Sequence, residues 1–222
     1  ASTGIAATHI GGMTIHSWSG IGIRKNLPPY ELDAIASNER VAKRIANTSI
    51  LIIDEISMLS ADTFAMAEMV VREVRRNKSA FGGLQVVLVG DFFQLPPVIT
   101  RNEQTDTQLD FGDGLDTNNV SPFAFRSRTW SALNPLVCYL SEQHRQDDAQ
   151  FLELLARVRS GNADTNTHAT LETRRIDERN APSDLPRLYS HNVDVDRVNL
   201  NRLNAIAGHA KEFTMTTRGP DT

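Results

Sequence analysis

The chain has 222 residues, of which 40% are hydrophobic and 23% charged, the balance of an ordinary globular protein with apolar material for one large domain or one domain and part of a second. A single cysteine, Cys138, rules out a disulfide-stapled scaffold, and no apolar run approaches the roughly 20 residues of a membrane helix. The 23 basic and 27 acidic residues sum to −4, so a polyanion has to be held by a local basic patch rather than by the global field.

In chain order, residues 1–7 (ASTGIAA) carry no initiator Met and no basic or signal-like leader, and they read as part of something longer. Residues 49–53 (SILII) and 84–89 (LQVVLV) are short β-branched runs with the character of strands covered on both faces, and 136–140 (LVCYL), which would bury Cys138, is a weaker third. Between the first two runs, Phe64, Ala67, Val71 and Val74 recur at helical spacing and predict a helix over 61–77. Strand, helix, strand implies a parallel βαβ crossover.

Residues 99–121 hold Glu103, Asp106, Asp110, Asp113 and Asp116 against Arg101 alone, which predicts an acidic surface insertion. A helix is expected over 148–160, with Phe151, Leu154, Leu155 and Val158 on one face and Gly161 as its stop. The polar stretch 161–187, with Pro182 and Pro186, is the expected linker between two domains, and a further helix is expected over 194–206.

Chemistry concentrates where the strands end. Residues 50–55 (ILIIDE) place Asp54 and Glu55 directly after a strand, at the edge where open parallel sheets bind ligands. This is a Walker B arrangement, in which the first acid can hold magnesium, usually through water, and the second can orient and deprotonate an attacking water. The competing reading is a loop start that caps the next helix. The second strand repeats the pattern in residues 90–97 (GDFFQLPP), so that Asp91 and Gln94 leave the same edge and two prolines fix an extended exit. A glutamine there can sense a terminal phosphate; the alternative is a solvated turn.

Residues 51–59 (LIIDEISML) and 81–98 (FGGLQVVLVGDFFQLPPV) resemble motifs two and three of the Pif-type (petite integration frequency) DNA helicases, in superfamily one. Residues 62–78 are similar to that family's signature stretch, 1–7 and 12–17 (GMTIHS) to motif Ia, 142–147 (EQHRQD) to motif four, and 188–199 to the entry of a second RecA-like domain. The resemblance implies an α/β fold: an incomplete RecA-like P-loop NTPase domain over 1–160, the linker, and the start of a second such domain over 188–222.

It further implies ATP and magnesium as cofactors, single-stranded DNA and duplex junctions as partners, and a monomer that moves 5′ to 3′, with roles in DNA repair, recombination and telomere maintenance. The setting is intracellular: cytoplasmic in a bacterium, nuclear or mitochondrial in a eukaryote. Glu55 is the expected general base, Asp54 the magnesium holder, Gln94 the phosphate sensor, Asp91 a further nucleotide-site acid and Arg145 the charge stabiliser. Thr3, Gly4, His16 and Ser17 are the expected DNA contacts, since small residues allow close approach while hydroxyl and imidazole donate to phosphate.

The family's phosphate loop, Gly-x-x-x-x-Gly-Lys-Ser/Thr, is missing, for none of the 13 glycines precedes a lysine. The loop is expected before Ala1 and motifs five and six after Thr222, so these residues alone are expected to be catalytically inactive. A non-catalytic DNA- or protein-binding module derived from a helicase is the alternative. For Arg145 a surface ion pair with Asp147 or Asp148 is the competing role, Trp18 is expected to pack rather than stack on a base, and Arg72, Arg75, Arg76 and Lys78 are expected to form a solvated helix face, with the DNA-strand contact that the resemblance allows as the alternative.

Overall fold

A computed structural model describes residues 1–98, 122–177, 180–182, 185–208, 211, 213 and 214. The acidic stretch 99–121 lies outside the described residues. By internal contacts the chain divides into two compact units, Ala1–Asp147 and Asp148–Thr222.

The first unit is built on two strands, β1 (Ile50–Ile53) and β2 (Gln85–Leu88), which pair in parallel with Ile50 opposite Gln85 and Ile53 opposite Leu88. The crossover between them is the expected helix, here α5 (Ala61–Arg75; the described helices are numbered α1 to α9). Ser60 caps it by accepting from the Thr63 amide at 3.2 Å, Asp62 faces the positive end of its dipole, and Arg76 closes it in the left-handed conformation. Its buried face, Phe64, Met66, Ala67, Val70 and Val71, meets Leu51 and Ile53 of β1 in one core. Four shorter helices precede the sheet: α1 (Gly4–His9), α2 (Ile15–Ser19), α3 (Pro29–Ala36) and α4 (Glu39–Ala46). Of these, α2, α3 and α4 pack against α5. Trp18 lies against the core, as a packing residue should.

Two expectations about strands need correction. Both sheet faces were expected to be covered, yet Leu51 and Ile53 are buried while Ile50 and Ile52 are 52% and 57% exposed. The crossover helix and its neighbours cover one face of the pair, and successive side chains of a strand point to opposite faces. The third run, 136–140, forms no strand, because no described segment offers it a ladder partner; it follows α6 (Arg128–Leu133), left-handed Asn134 and Pro135, which has no N–H to donate. Leu136 and Leu140 are consequently exposed, and so is Cys138, which is not the buried strand residue expected.

An aromatic group finishes the first unit. Phe92, just beyond β2, sits edge-on to Phe125 at 4.9 Å and within 6 Å of Phe123 and Trp130, while Phe64 contacts Phe81 at 5.2 Å.

The second unit contains α7 (Ala149–Arg159), α8 (Thr165–Glu172) and α9 (Asn192–Asn204). The first and last match the expected helices. The division between units falls at Asp147, ahead of the stretch 161–187, and that stretch is not a plain linker because it carries α8. Asp164 explains the helix: its carboxylate accepts from the Thr167 hydroxyl at 2.7 Å, caps α8 by accepting from the Thr167 amide at 2.7 Å and pairs with Arg157 at 2.9 Å, and these interactions, the hydroxyl's first, hold its pKa below the usual carboxylate value.

Candidate functional site

The two strands deliver their terminal polar residues to one edge. The Val89 amide donates to the Ile53 carbonyl at 2.9 Å and the Ile56 amide donates to the Val89 carbonyl at 3.0 Å, so the chain leaving β1 is fastened to the chain leaving β2 on both sides of Asp54 and Glu55. Gly90 makes this approach possible, since a Cβ there would stand 3.0 Å from both the amide nitrogen and Cγ2 of Ile56.

Glu55 itself is left-handed (φ 56°, ψ 46°), a conformation unfavourable for a residue with a Cβ and found disproportionately at functional sites. It is over-determined here. Asp54 Oδ1 accepts from the Glu55 amide at 2.9 Å, and the Glu55 carbonyl accepts from the Met58 amide at 3.1 Å to close a 3₁₀ turn over Ile56–Met58. These bonds turn the chain just after the acid pair, and neither carboxylate begins a long helix. Asp91 anchors the second exit, accepting from the Phe93 amide at 3.1 Å through one oxygen and from Gln94 Nε2 at 3.1 Å through the other. Gln94 is exposed, and its amide retains a second N–H.

Two buried hydroxyls, Ser2 Oγ and Ser57 Oγ, have no hydrogen-bond partner among the described residues. Ser57 follows Glu55 by two positions, and the Ser2 amide donates to the Asp54 carbonyl at 3.2 Å. The carboxylates of Asp54 and Glu55 are hard oxygen donors of the kind that would suit magnesium, and among the described residues no group of three or more His, Cys, Asp or Glu residues could hold a metal ion by itself.

The N-terminal segment borders this edge through Ser2. Thr3 caps α1 by accepting from the Ala6 amide at 3.2 Å, and Gly4, the first residue of that helix, is exposed. His16 and Ser17 lie on α2, capped by Thr14 Oγ1 through the Ser17 amide at 3.2 Å. Ser17 is exposed; His16 is half-buried, and desolvation lowers its pKa, so that the neutral imidazole with one N–H is favoured at pH 7.

Arg145 is not brought to the edge by any hydrogen bond or ion pair among the described residues. It is exposed in an irregular segment, where the neighbouring His144 pairs with Glu142 at 3.4 Å, and Asp148 serves instead as the cap of α7. The basic cluster at the end of α5 is only partly a solvated face. Arg72 lies 3.8 Å from buried Glu68, and Arg75 donates to the Gly82 carbonyl at 2.9 Å and the Thr48 carbonyl at 3.3 Å.

Sequence reasoning missed Arg44, whose Nε and Nη2 donate to the Trp18 and Ser17 carbonyls at 2.9 and 3.0 Å. A lone arginine on an amphipathic helix gives no signal that distinguishes it from a solvated one. Ser2 and Ser57 were equally silent, because burial of a serine cannot be read from its neighbours in sequence.

Residues 1–169 match the model of the PIF1-like helicase family. The chain is 38% identical over 226 residues to the ATP-dependent DNA helicase Pif1 of Psychrobacter, covering 99% of this chain and 32% of that protein. Among solved structures it resembles the Bacteroides Pif1 helicase in complex with ADP-AlF3 and ssDNA, at 27% identity and a TM-score of 0.75, over 94% of this chain and 47% of that one. It also resembles a Pif1 helicase solved for DNA unwinding at forked dsDNA by two coordinating Pif1 helicases, at 30% identity and a TM-score of 0.74, over 90% of this chain and 46% of that one. The chain thus spans about a third of that curated relative and about half of those solved chains.

Proposed function

The chain belongs to the PIF1-like helicase family, and from that premise we propose that it is the central part of an ATP-driven DNA helicase that moves 5′ to 3′ on single-stranded DNA and opens duplex at junctions. The observation that carries this reading is the shared edge: Asp54, Glu55, Asp91 and Gln94 all follow the carboxyl ends of two parallel strands whose exits are hydrogen-bonded to each other. Residues 1–147 are then most of a first RecA-like domain, and the unit from Asp148 onward leads into the second.

Magnesium–ATP, when bound, supplies the phosphoanhydride and a metal charge that neutralises its oxygens. Asp54 is the residue that would hold the metal, through water. Glu55, fixed by its turn, orients the attacking water and accepts its proton. The second N–H of Gln94 would donate to the terminal phosphate, while its first is held by Asp91. Arg145, whose guanidinium has no described partner, neutralises charge as phosphoryl transfer proceeds. Thr3, Gly4, His16 and Ser17 line the DNA side, where exposed small residues admit a phosphate and the neutral imidazole donates one hydrogen bond. The setting is inside the cell, wherever its DNA lies, and the active unit on single strands is a monomer.

The test is ATP turnover by the full-length parent, with and without oligo-dT, and unwinding of duplexes carrying either a 5′ or a 3′ single-stranded tail. Turnover stimulated by DNA, with unwinding from the 5′ tail, is the expected result. DNA binding without turnover would instead make the protein a binding module.

A further inference from the structure

Two arginines of the first unit spend their guanidinium groups on main-chain carbonyls rather than on acids. Arg44, in the last turn of α4, holds the carbonyls of Ser17 and Trp18 at 3.0 and 2.9 Å, which fixes the C-terminal end of α2. The Arg44 carbonyl accepts from Thr48 Oγ1 at 2.8 Å. Thr48 then offers its own carbonyl to Arg75 Nη1 at 3.3 Å, two residues ahead of β1, while Arg75 Nε donates to the Gly82 carbonyl at 2.9 Å, three residues ahead of β2. A contiguous path therefore runs from Ser17 through Arg44, Thr48 and Arg75 to the entries of both strands. The acid pair and Asp91 lie at their exits.

We propose that Arg44, Thr48 and Arg75 are positioning residues of one relay, which couples single-stranded DNA seated on α2 to the nucleotide edge at Asp54 and Asp91. This rests on the function proposed above. Its physical basis is stiffness. Each guanidinium is permanently charged and planar, and it engages two carbonyls at once, so neither bonded segment can shift without the other. At Gly82 the packing leaves no slack, for a Cβ there would stand 2.8 Å from Arg75 Cβ and 2.9 Å from its Cδ. The strands carry any displacement of their entries to the exits, because each is fixed by the ladder to the other. Coupling of this kind is a free energy shared between two sites, so it is reciprocal.

The experiment uses the full-length parent and measures four things. These are the affinity for fluorescent oligo-dT with and without a nonhydrolysable ATP analogue, the affinity for that analogue with and without oligo-dT, the basal and DNA-stimulated ATPase, and the melting temperature. Arg44→Gln and Arg75→Lys are compared with the wild type. The coupling factor is expected to fall at least about threefold in each, by the same amount measured from either ligand, while the affinity for each ligand alone and the basal ATPase stay within about twofold. The double variant should lose no more coupling than the worse single one, since both sit on one path.

Wild-type coupling in a folded Arg44→Gln protein, or additive losses in the double variant, would overturn the relay. Arg44 is half-exposed, so its variant carries the test even if Arg75→Lys lowers the melting temperature. A wild-type protein that shows no DNA-stimulated turnover would instead overturn the proposed function.

Discussion

The amide of Ser2 donates to the carbonyl of Asp54 at 3.2 Å, which joins the first residues of the chain to the acid pair more than 50 positions later. Segments proposed for two different ligands are thus adjacent in space.

Glu55 is placed by backbone bonds that its side chain does not make, so removing the carboxylate leaves the turn intact. In the full-length parent, Glu55→Gln should cut ATP turnover by about 10²-fold or more, the scale of a lost general base, with nucleotide affinity nearly unchanged. Steady-state kinetics and equilibrium binding check this together. Turnover near the wild-type rate would remove Glu55 from the mechanism.

These 222 residues on their own contain no Gly-Lys-Ser/Thr loop, and phosphate affinity in such motors comes largely from that loop's amides and lysine. The purified chain should show only background ATPase, with or without single strands, and a DNA affinity that is low and falls steeply with salt. Hydrolysis that rises on adding oligo-dT to a preparation free of contaminants would show that the nucleotide site is misplaced.

Gly82→Ala tests the turn that feeds β2. Gly82 has φ +58°, and the new Cβ would meet Arg75 at 2.8 Å, so the variant is both strained and crowded. A loss of about 1–3 kcal/mol is expected in chemical denaturation of the chain. Gly161→Ala is the control, with φ +72° but nothing within 4 Å of its Cβ, and it should cost less.

Glu68 is buried in α5, where its Oε1 accepts from the Phe81 amide at 3.4 Å and Arg72 lies 3.8 Å away. Burial raises its pKa above the ordinary glutamate value, against the opposing pull of Arg72 and the Phe81 amide. A raised native pKa means the native state binds more protons than the unfolded one. The contribution of Glu68 is therefore fully present below the unfolded pKa and is lost as pH rises through the native one. Glu68→Gln, which keeps an acceptor for Phe81, should gain stability relative to the wild type as pH rises from 4 to 7. A difference that does not change with pH, in denaturant titrations at several pH values, would refute this.

What the sequence determined by itself is the local chemistry and its order. The apolar run 50–53 ending in Asp54-Glu55, the helical spacing from Phe64 to Val74, and the second run ending in Asp91 and Gln94 are patterns of neighbouring residues, and neighbours alone set strand, helix and turn propensity. Parallel pairing then followed, because a helix between two strands permits little else, and it carried the four polar groups to one edge. Tertiary structure decided whatever depends on distant partners. Residues 136–140 have the composition of a strand but no described ladder to join, so Cys138 is exposed, and Ile50 and Ile52 are apolar but lie on the face the crossover helix does not cover. The burial of the Ser2 and Ser57 hydroxyls, without a hydrogen-bond partner among the described residues, and the grip of Arg44 on Ser17 and Trp18 each require segments remote in sequence to meet. A side chain's partner across 27 positions, as for Arg44 and Ser17, is fixed by packing and leaves no trace in local pattern.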